Sequence, residues 1–131
     1  MHYDAIARAC PSGLYVARLA RGATDDASLP WAARAQLLAT QPPMPPLTRA
    51  LLAARIAARG PLPWVATVSS LIVFGAEATA LGRDGAGRTR FALEEPGPWF
   101  AALDGAWLPT GRGRPWVICE PVRAPARPLQ Q

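Results

Sequence analysis

The sequence predicts an α+β fold in which two to three N-terminal helices pack on an antiparallel sheet, a meander of four or five strands. Three observations predict it: a β-rich stretch from Trp64 to Leu93, two helical segments rich in Ala and Leu before it, and a short segment of strands after it. With 131 residues, 50% of them hydrophobic, the chain can fill one core. Residues 1–131 are therefore expected to form a single domain, with residues 121–131 as a Pro-rich C-terminal tail.

The meander is predicted from alternation and turn residues. A first strand that is apolar on both faces suits the interior of a sheet, with Trp64, Ile72 and Phe74 on one face. Gly75 is expected to end this strand, and the sequence RDGAG at Arg83–Gly87 is typical of a tight reversal. The expected strands are Trp64–Phe74, Ala76–Leu81 and Arg88–Leu93, with further strands at Ala106–Leu108 and Pro115–Glu120. A strand is favoured over a helical turn for Leu14–Ala20.

The helices are predicted from their ends and apolar stripes. Asp25, Asp26 and Ser28 before Pro30 form a helix start, because acidic side chains suit the positive end of the helix dipole. Four prolines between Pro42 and Pro46 form a stiff connector, which either spaces two helices or docks on an aromatic groove of a partner. The first predicted helix is Pro30–Thr40, with Arg34 outside its apolar stripe. The second is Leu47–Arg59, with Leu47, Leu51, Ala54 and Ala58 on one stripe and Leu52 and Ile56 beside it. Two short helices are expected at Tyr3–Cys10 and Trp99–Asp104.

Charge leaves the class of partner open. The chain carries 14 basic and 9 acidic residues, a net charge of +5, which raises nucleic acid or an anionic surface as a partner. All the basic residues are Arg and none is Lys, the residue usage that a GC-rich bacterial genome imposes. Since the Arg residues are scattered rather than clustered, nucleic-acid binding is a second alternative and not the favoured function.

The sequence lacks the residues that several kinds of catalytic and metal sites require. His2 is the only histidine and there is no Lys, so a catalytic triad, a zinc site and Schiff-base chemistry are not expected, and no cofactor is predicted. Cys10 and Cys119 stand in no metal or redox spacing; reduced thiols are favoured over a disulfide between them. Neither a signal peptide nor a membrane span is visible, so a cytoplasmic location is expected.

One loop has the composition of a binding site. Gly111–Arg114 places two guanidinium groups among glycines, between Trp107 and Trp116, where they can grip a phosphate or carboxylate or face an acidic partner. An ordinary hairpin loop that keeps a sheet edge soluble is the alternative. The candidate residues for binding a protein partner or a small anionic ligand are Arg112, Arg114, Trp107, Trp116, Arg88 and Arg90. The predicted function is a non-catalytic binding module.

The alternative is an enzyme that uses Glu120. On the alternation of the last strand, this carboxylate shares a face with Trp116 and Ile118, where it needs an Arg partner or a proton, unless it emerges into water at the strand end. The stretch Gly113–Pro125 (GRPWVICEPVRAP) resembles the final strand of chorismate pyruvate-lyases. That resemblance implies an α+β fold, a buried aromatic carboxylate as ligand, and Glu120 as a catalytic residue of a lyase or isomerase.

Overall fold

The structure is a computed structural model that describes residues 8–11, 13–19, 27–109 and 116–119, the last with their backbone alone. It confirms the α+β class, with one six-stranded sheet and two helices whose whole length lies in the described part of the chain. The helices are α1 (Trp31–Leu38) and α2 (Pro46–Arg59), and a 3-10 helix spans Pro98–Ala102. The strands are β1 (Leu14–Leu19), β2 (Thr40–Gln41), β3 (Leu62–Val68), β4 (Leu71–Arg83), β5 (Thr89–Glu94) and β6 (Trp116–Cys119).

The sheet is mixed, so the expectation of a purely antiparallel sheet is wrong. Its strands lie in the order β2-β5-β4-β3-β1-β6, and β1 runs parallel to β3 with Tyr15 opposite Trp64. Both helices lie in the connection between these two strands, and a crossover of that length lets the chain return in the same direction. The predicted antiparallel meander is confirmed for β3, β4 and β5.

The first reversal of the meander lies earlier than predicted. Ser69 and Ser70 join β3 to β4 with φ values of 49° and 69°, and Val68 pairs with Leu71 across the turn. Two central residues with positive φ characterise the two-residue hairpin turn that matches strand twist. The expected single strand Trp64–Phe74 is therefore wrong, and Gly75 lies inside β4. The second reversal is confirmed, since the Asp84 amide donates to the Arg88 carbonyl at 2.9 Å.

A β-bulge in β4 changes which side chains share a face. Ala66 pairs with Phe74 while its neighbour Thr67 pairs with Ile72, so Val73 has no register partner on β3. The extra residue reverses the alternation at this point. As a result Phe74 packs on the helical side and Ile72 on the other side, which corrects the expectation that they share one face.

The sheet has a hydrophobic cluster on each face. The cluster under the helices is built around four aromatic rings, those of Tyr15, Trp64, Phe74 and Phe91. The opposite cluster joins Leu14, Val16, Val65 and Ile72 to Leu103 and Leu108, which follow the 3-10 helix. Of the predicted strand Ala106–Leu108, only Trp107 forms a bridge, with Leu71. Segments that follow the meander thus cover the face that the helices leave open.

Helix α1 is anchored to the bulged part of β4. The indole Nε1 of Trp31 donates to the Gly75 carbonyl at 2.7 Å, and Arg34 donates to the Val73 carbonyl at 2.6 Å. The guanidinium of Arg34 also lies 5.0 Å from the centre of the Phe74 ring, a cation-π distance. Arg34, which was expected to lie outside the buried stripe, therefore packs against the strand.

Helix α2 buries a different side from the predicted one. Leu52 is buried, Ile56 packs beside it, and both contact the cluster under the helices. The four residues of the predicted stripe, Leu47, Leu51, Ala54 and Ala58, are all exposed. The prediction failed because α2 has apolar side chains on both sides, so periodicity alone cannot select the buried one.

Candidate ligand-binding groove

A groove of about 630 Å³ lies between α1 and the far end of the β4–β5 hairpin. A site of this volume falls within the usual range for small-molecule ligands. Most of its lining is apolar, with polar groups near the hairpin end. Its lining includes Trp31, Leu81, Arg83, Asp84, Arg90 and Phe91.

The apolar walls are held in place by aromatic contacts. The Trp31 ring stacks on Phe74 with their centroids 5.7 Å apart and the planes 14° from parallel. Phe91 is only 2% exposed and its ring centroid lies 4.8 Å from that of Tyr15 and 5.8 Å from that of Trp64. Because these rings are fixed by packing, the groove is largely preformed.

Arg83 gives the groove a cationic end. It pairs in register with Thr89, so its side chain lies on the same face as Phe91, two residues from Thr89 along β5. No carboxylate in the described part of the chain forms an ion pair with Arg83. The sequence analysis assigned Arg83 to the turn and therefore missed it. In the structure Arg83 ends β4 and pairs with the buried Thr89, which places Arg83 at the end of the groove.

Arg90 borders the groove from the edge of the sheet. Its guanidinium donates to the Thr40 hydroxyl at 2.8 Å, and Thr40 is its register partner on β2. This contact ties the edge strand β2 to β5. Among the predicted binding residues whose side chains are described, Arg90 is the one that borders this groove, and its side chain lies with Thr40 on the opposite face from Phe91.

Arg88 is engaged within the hairpin turn. Its Nε atom lies 3.3 Å from the Asp84 carboxylate, and one oxygen of that carboxylate accepts the amides of Arg88 and Ala86 at 2.9 Å. The backbone hydrogen bond from Arg88 is the main reason that the pKa of Asp84 is lowered. Asp84 stays ionised and holds the turn, so the acid nearest the groove is already paired.

Two buried polar atoms near the groove have no hydrogen-bond partner among the described residues. They are the hydroxyl of Thr89 and the indole Nε1 of Trp64, and both residues are fully buried. Thr89 lies between two groove positions, since it pairs with Arg83 and precedes Phe91 by two residues on the same face. An unsatisfied buried group costs about 1–3 kcal/mol, so each of these two atoms lowers the stability of the fold unless it gains a partner.

The other predicted binding residues lie elsewhere. Trp107 is 53% exposed and bridges to Leu71, at the opposite end of β4 from Arg83. At about 3.3 Å per residue, the 13 residues of β4 keep Trp107 far from the groove. Arg112, Arg114 and Glu120 lie outside the described residues, and Trp116 is described only through its backbone pairing with Ala17. The predicted Arg/Trp loop and the role of Glu120 stay predictions.

Cys10 is a free thiol packed in the cluster beneath the sheet. Burial raises its pKa to about 12, Arg55 opposes this shift and Glu77 adds to it. A thiol in this state is protonated at neutral pH and is a poor nucleophile.

Within the described ranges, no three His, Cys, Asp or Glu side chains converge as a metal site, and neither helix has the length and apolarity of a membrane span.

We compared the chain with protein-family models, with curated proteins and with solved structures, and none of them matched it. The resemblance of Gly113–Pro125 to chorismate pyruvate-lyases therefore rests on those residues alone. The site has to be interpreted from its own geometry.

Proposed function

We propose that the protein is a non-catalytic binding module that holds a small molecule with an apolar body and an anionic group in the groove beside α1. The observation that carries this proposal is the position of Arg83, at the end of an apolar groove and without a carboxylate partner in the described part of the chain. Guanidinium groups recognise carboxylates and phosphates through paired hydrogen bonds.

Each part of the groove has a distinct role in this proposal. The ring of Trp31 and the side chain of Leu81 receive the apolar body above the buried Phe91 ring, and water is released from both surfaces. Arg83 binds the anionic group, while the side chain of Arg90 is held by Thr40 on the other face of β5. The acid that borders the groove, Asp84, is already engaged by Arg88. These groups suit binding, and this is why a binding role is preferred to a catalytic one.

The other hypotheses depend on residues outside the described part. A lyase or isomerase needs Glu120 in the wall of an enclosed pocket, and recognition through the Arg/Trp loop needs Arg112 and Arg114. Nucleic-acid binding needs the Arg residues to share one face. All three remain predictions, and no contact of the described residues favours any of them over the groove.

Isothermal titration calorimetry with two matched probes tests the proposal. The probes are 4-phenylbutanoate and its neutral amide, 4-phenylbutanamide, which share the same apolar body. We expect the carboxylate to bind at least tenfold more tightly, a difference of about 1.4 kcal/mol. Exchanging Arg83 for Gln should weaken the carboxylate about tenfold and leave the amide unchanged, because Gln keeps a polar side chain and loses the charge.

The matched control is Arg59→Gln, which removes the same charge from an exposed residue at the end of α2 that does not line the groove. It should leave the affinity for the carboxylate unchanged. Equal binding of the two probes, no binding of either probe, or an equal loss in the Arg59→Gln variant would each show that Arg83 does not recognise an anion in this groove.

A further inference from the structure

The outward side of α2 is apolar from end to end. Leu47 is 71% exposed and Leu51 is 62% exposed, while Leu52 and Ile56 occupy the inward side. We call the exposed residues of this side the α2 outer face; they are Leu47, Ala50, Leu51, Ala53, Ala54, Ala57 and Ala58. A helix with apolar side chains on both sides is typical of one that is covered on both sides.

Positive charge borders the α2 outer face on each flank. Arg49 is the i−4 neighbour of Ala53, and Arg55 is the i+4 neighbour of Leu51, so each lies next to the face on the helix surface. Both are half-buried and donate to backbone carbonyls, Arg49 to Met44 at 3.5 Å and Arg55 to Gly60 at 3.3 Å. Helix α2 contains three arginines and no acidic residue.

We propose that the α2 outer face docks a helix of a protein partner, one that presents an apolar stripe flanked by carboxylates. Leu47 and Leu51 are exposed and lie one turn apart, at positions i and i+4. Side chains with this spacing form a ridge that can pack into a groove on the surface of a second helix. The five alanines let a second helix approach closely, and the 14 residues of α2 offer it about four turns. Acidic side chains beside the partner's stripe would face Arg49 and Arg55.

Two other occupants fit the face less well. In two copies of this chain, pairing of the α2 outer faces would set arginine against arginine, because α2 has no acid to offer. A lipid surface is usually met by helices with large apolar side chains, Trp, Phe or Leu, and five of the seven residues here are alanines. A partner helix uses both the small residues and the flanking charge.

The experiment uses two designed peptides and the full chain. The first is a four-turn peptide with Leu or Ala at heptad positions a, d and e, Glu at b and g, and Gln elsewhere; the second has Lys in place of Glu. Fluorescence anisotropy should show the Glu peptide binding at least tenfold more tightly than the Lys peptide, with an affinity that falls as salt is added. Ala54→Glu, at the centre of the α2 outer face, should weaken the Glu peptide at least tenfold.

The matched control is Ala101→Glu, an identical exchange at an exposed position of the 3-10 helix, on the other side of the sheet. It should leave the binding of the peptide unchanged, and circular dichroism should show both variants folded. Equal affinity for the two peptides, no binding of the Glu peptide, or an equal loss in both variants would overturn the proposal. Two further results would also overturn it, because each would identify another occupant of the α2 outer face. One is a dimer in sedimentation equilibrium that Ala54→Glu abolishes. The other is binding of the protein to phosphatidylglycerol vesicles that the same exchange abolishes.

Discussion

The ring of Phe100 lies against Gly75 in the space that a Cβ atom at this position would need. Gly75 is inside β4, and Phe100 belongs to the 3-10 helix that covers the sheet opposite the helices. This glycine therefore acts as a contact surface within a strand, not as the strand end that the sequence predicted. Close approach of another group is one of the few reasons for a glycine inside a strand.

Gly75→Ala should lower the free energy of unfolding by about 1–3 kcal/mol, because the new methyl group forces the Phe100 ring away. Gly82→Ala is the matched control on the same strand, since a Cβ there meets nothing within 4 Å. Its effect should stay within about 0.5 kcal/mol. Urea denaturation measures both, and equal effects would show that Phe100 does not require the glycine.

The Ser69–Ser70 turn should respond to substitution in opposite directions. Ser70 has a φ of 69°, where a side chain costs about 1–2 kcal/mol and glycine costs almost nothing. Ser70→Gly should therefore raise the free energy of unfolding by about 1 kcal/mol, and Ser70→Val should lower it, because a β-branched residue tolerates positive φ poorly. If Ser70→Gly destabilises the protein in urea denaturation, the turn is not in this conformation.

Removal of the Thr89 hydroxyl should be tolerated. Its Oγ1 atom is buried without a hydrogen-bond partner among the described residues, so Thr89→Val removes a desolvated polar group and nearly preserves the shape. We expect the unfolding free energy to rise by about 1 kcal/mol. The comparison is Thr40→Val, which removes the hydroxyl that accepts from Arg90 and should not stabilise the protein. A loss of stability in Thr89→Val would mean that a bound water molecule or ligand satisfies the hydroxyl.

Alkaline pH should destabilise the protein through Cys10. Its thiol has a pKa of about 12 in the fold and an ordinary value of 9.0, so above pH 9 the unfolded chain loses a proton that the folded chain keeps. The contribution of the protonated Cys10 thiol to the free energy of unfolding is complete below pH 9. It decreases by about 1.4 kcal/mol per pH unit as the pH rises toward 12. Burial also raises the pKa of Tyr15, which acts in the same direction above pH 10.

Urea denaturation at several values between pH 8 and pH 11 measures this effect. The variant Cys10→Ala should be less stable at pH 8, because it leaves a cavity, and should show a shallower decline between pH 9 and pH 11. Cys119 is present in both proteins, so its titration cancels in the comparison. Identical slopes for the two proteins would mean that Cys10 is not desolvated as the structure places it.

Local signals in the sequence identified some elements of the fold and missed others. The turn at Asp84–Gly87 was predictable, because its residues have the required conformations on their own. The Ser69–Ser70 turn was hidden, since neither serine is a residue that favours positive φ. The bulge at Val73 and the parallel pairing of β1 with β3 depend on contacts between distant segments, which no local pattern encodes.

The candidate groove was predictable only in one residue. Arg90 was singled out by its alternation on β5, and the structure places it at the edge of the groove. Trp31 lies on α1, before the meander, and Arg83 is the last residue of β4, and only the packing of α1 on the hairpin brings them together. To predict a site that is built from three segments, one must know how those segments pack together. The hydrophobic periodicity of a single segment does not contain that information.

The position of β1 in the sheet determines when the fold can be completed. Its neighbours are β3 and β6, both far along the chain, whereas β3, β4 and β5 are joined by short reversals. During synthesis β1 leaves the ribosome first and waits for strands that are made much later, while the meander pairs as soon as it emerges. Nascent chains that stop before β3 expose Leu14–Leu19 without a strand to pair with, and it is these chains that chaperones would have to protect from aggregation.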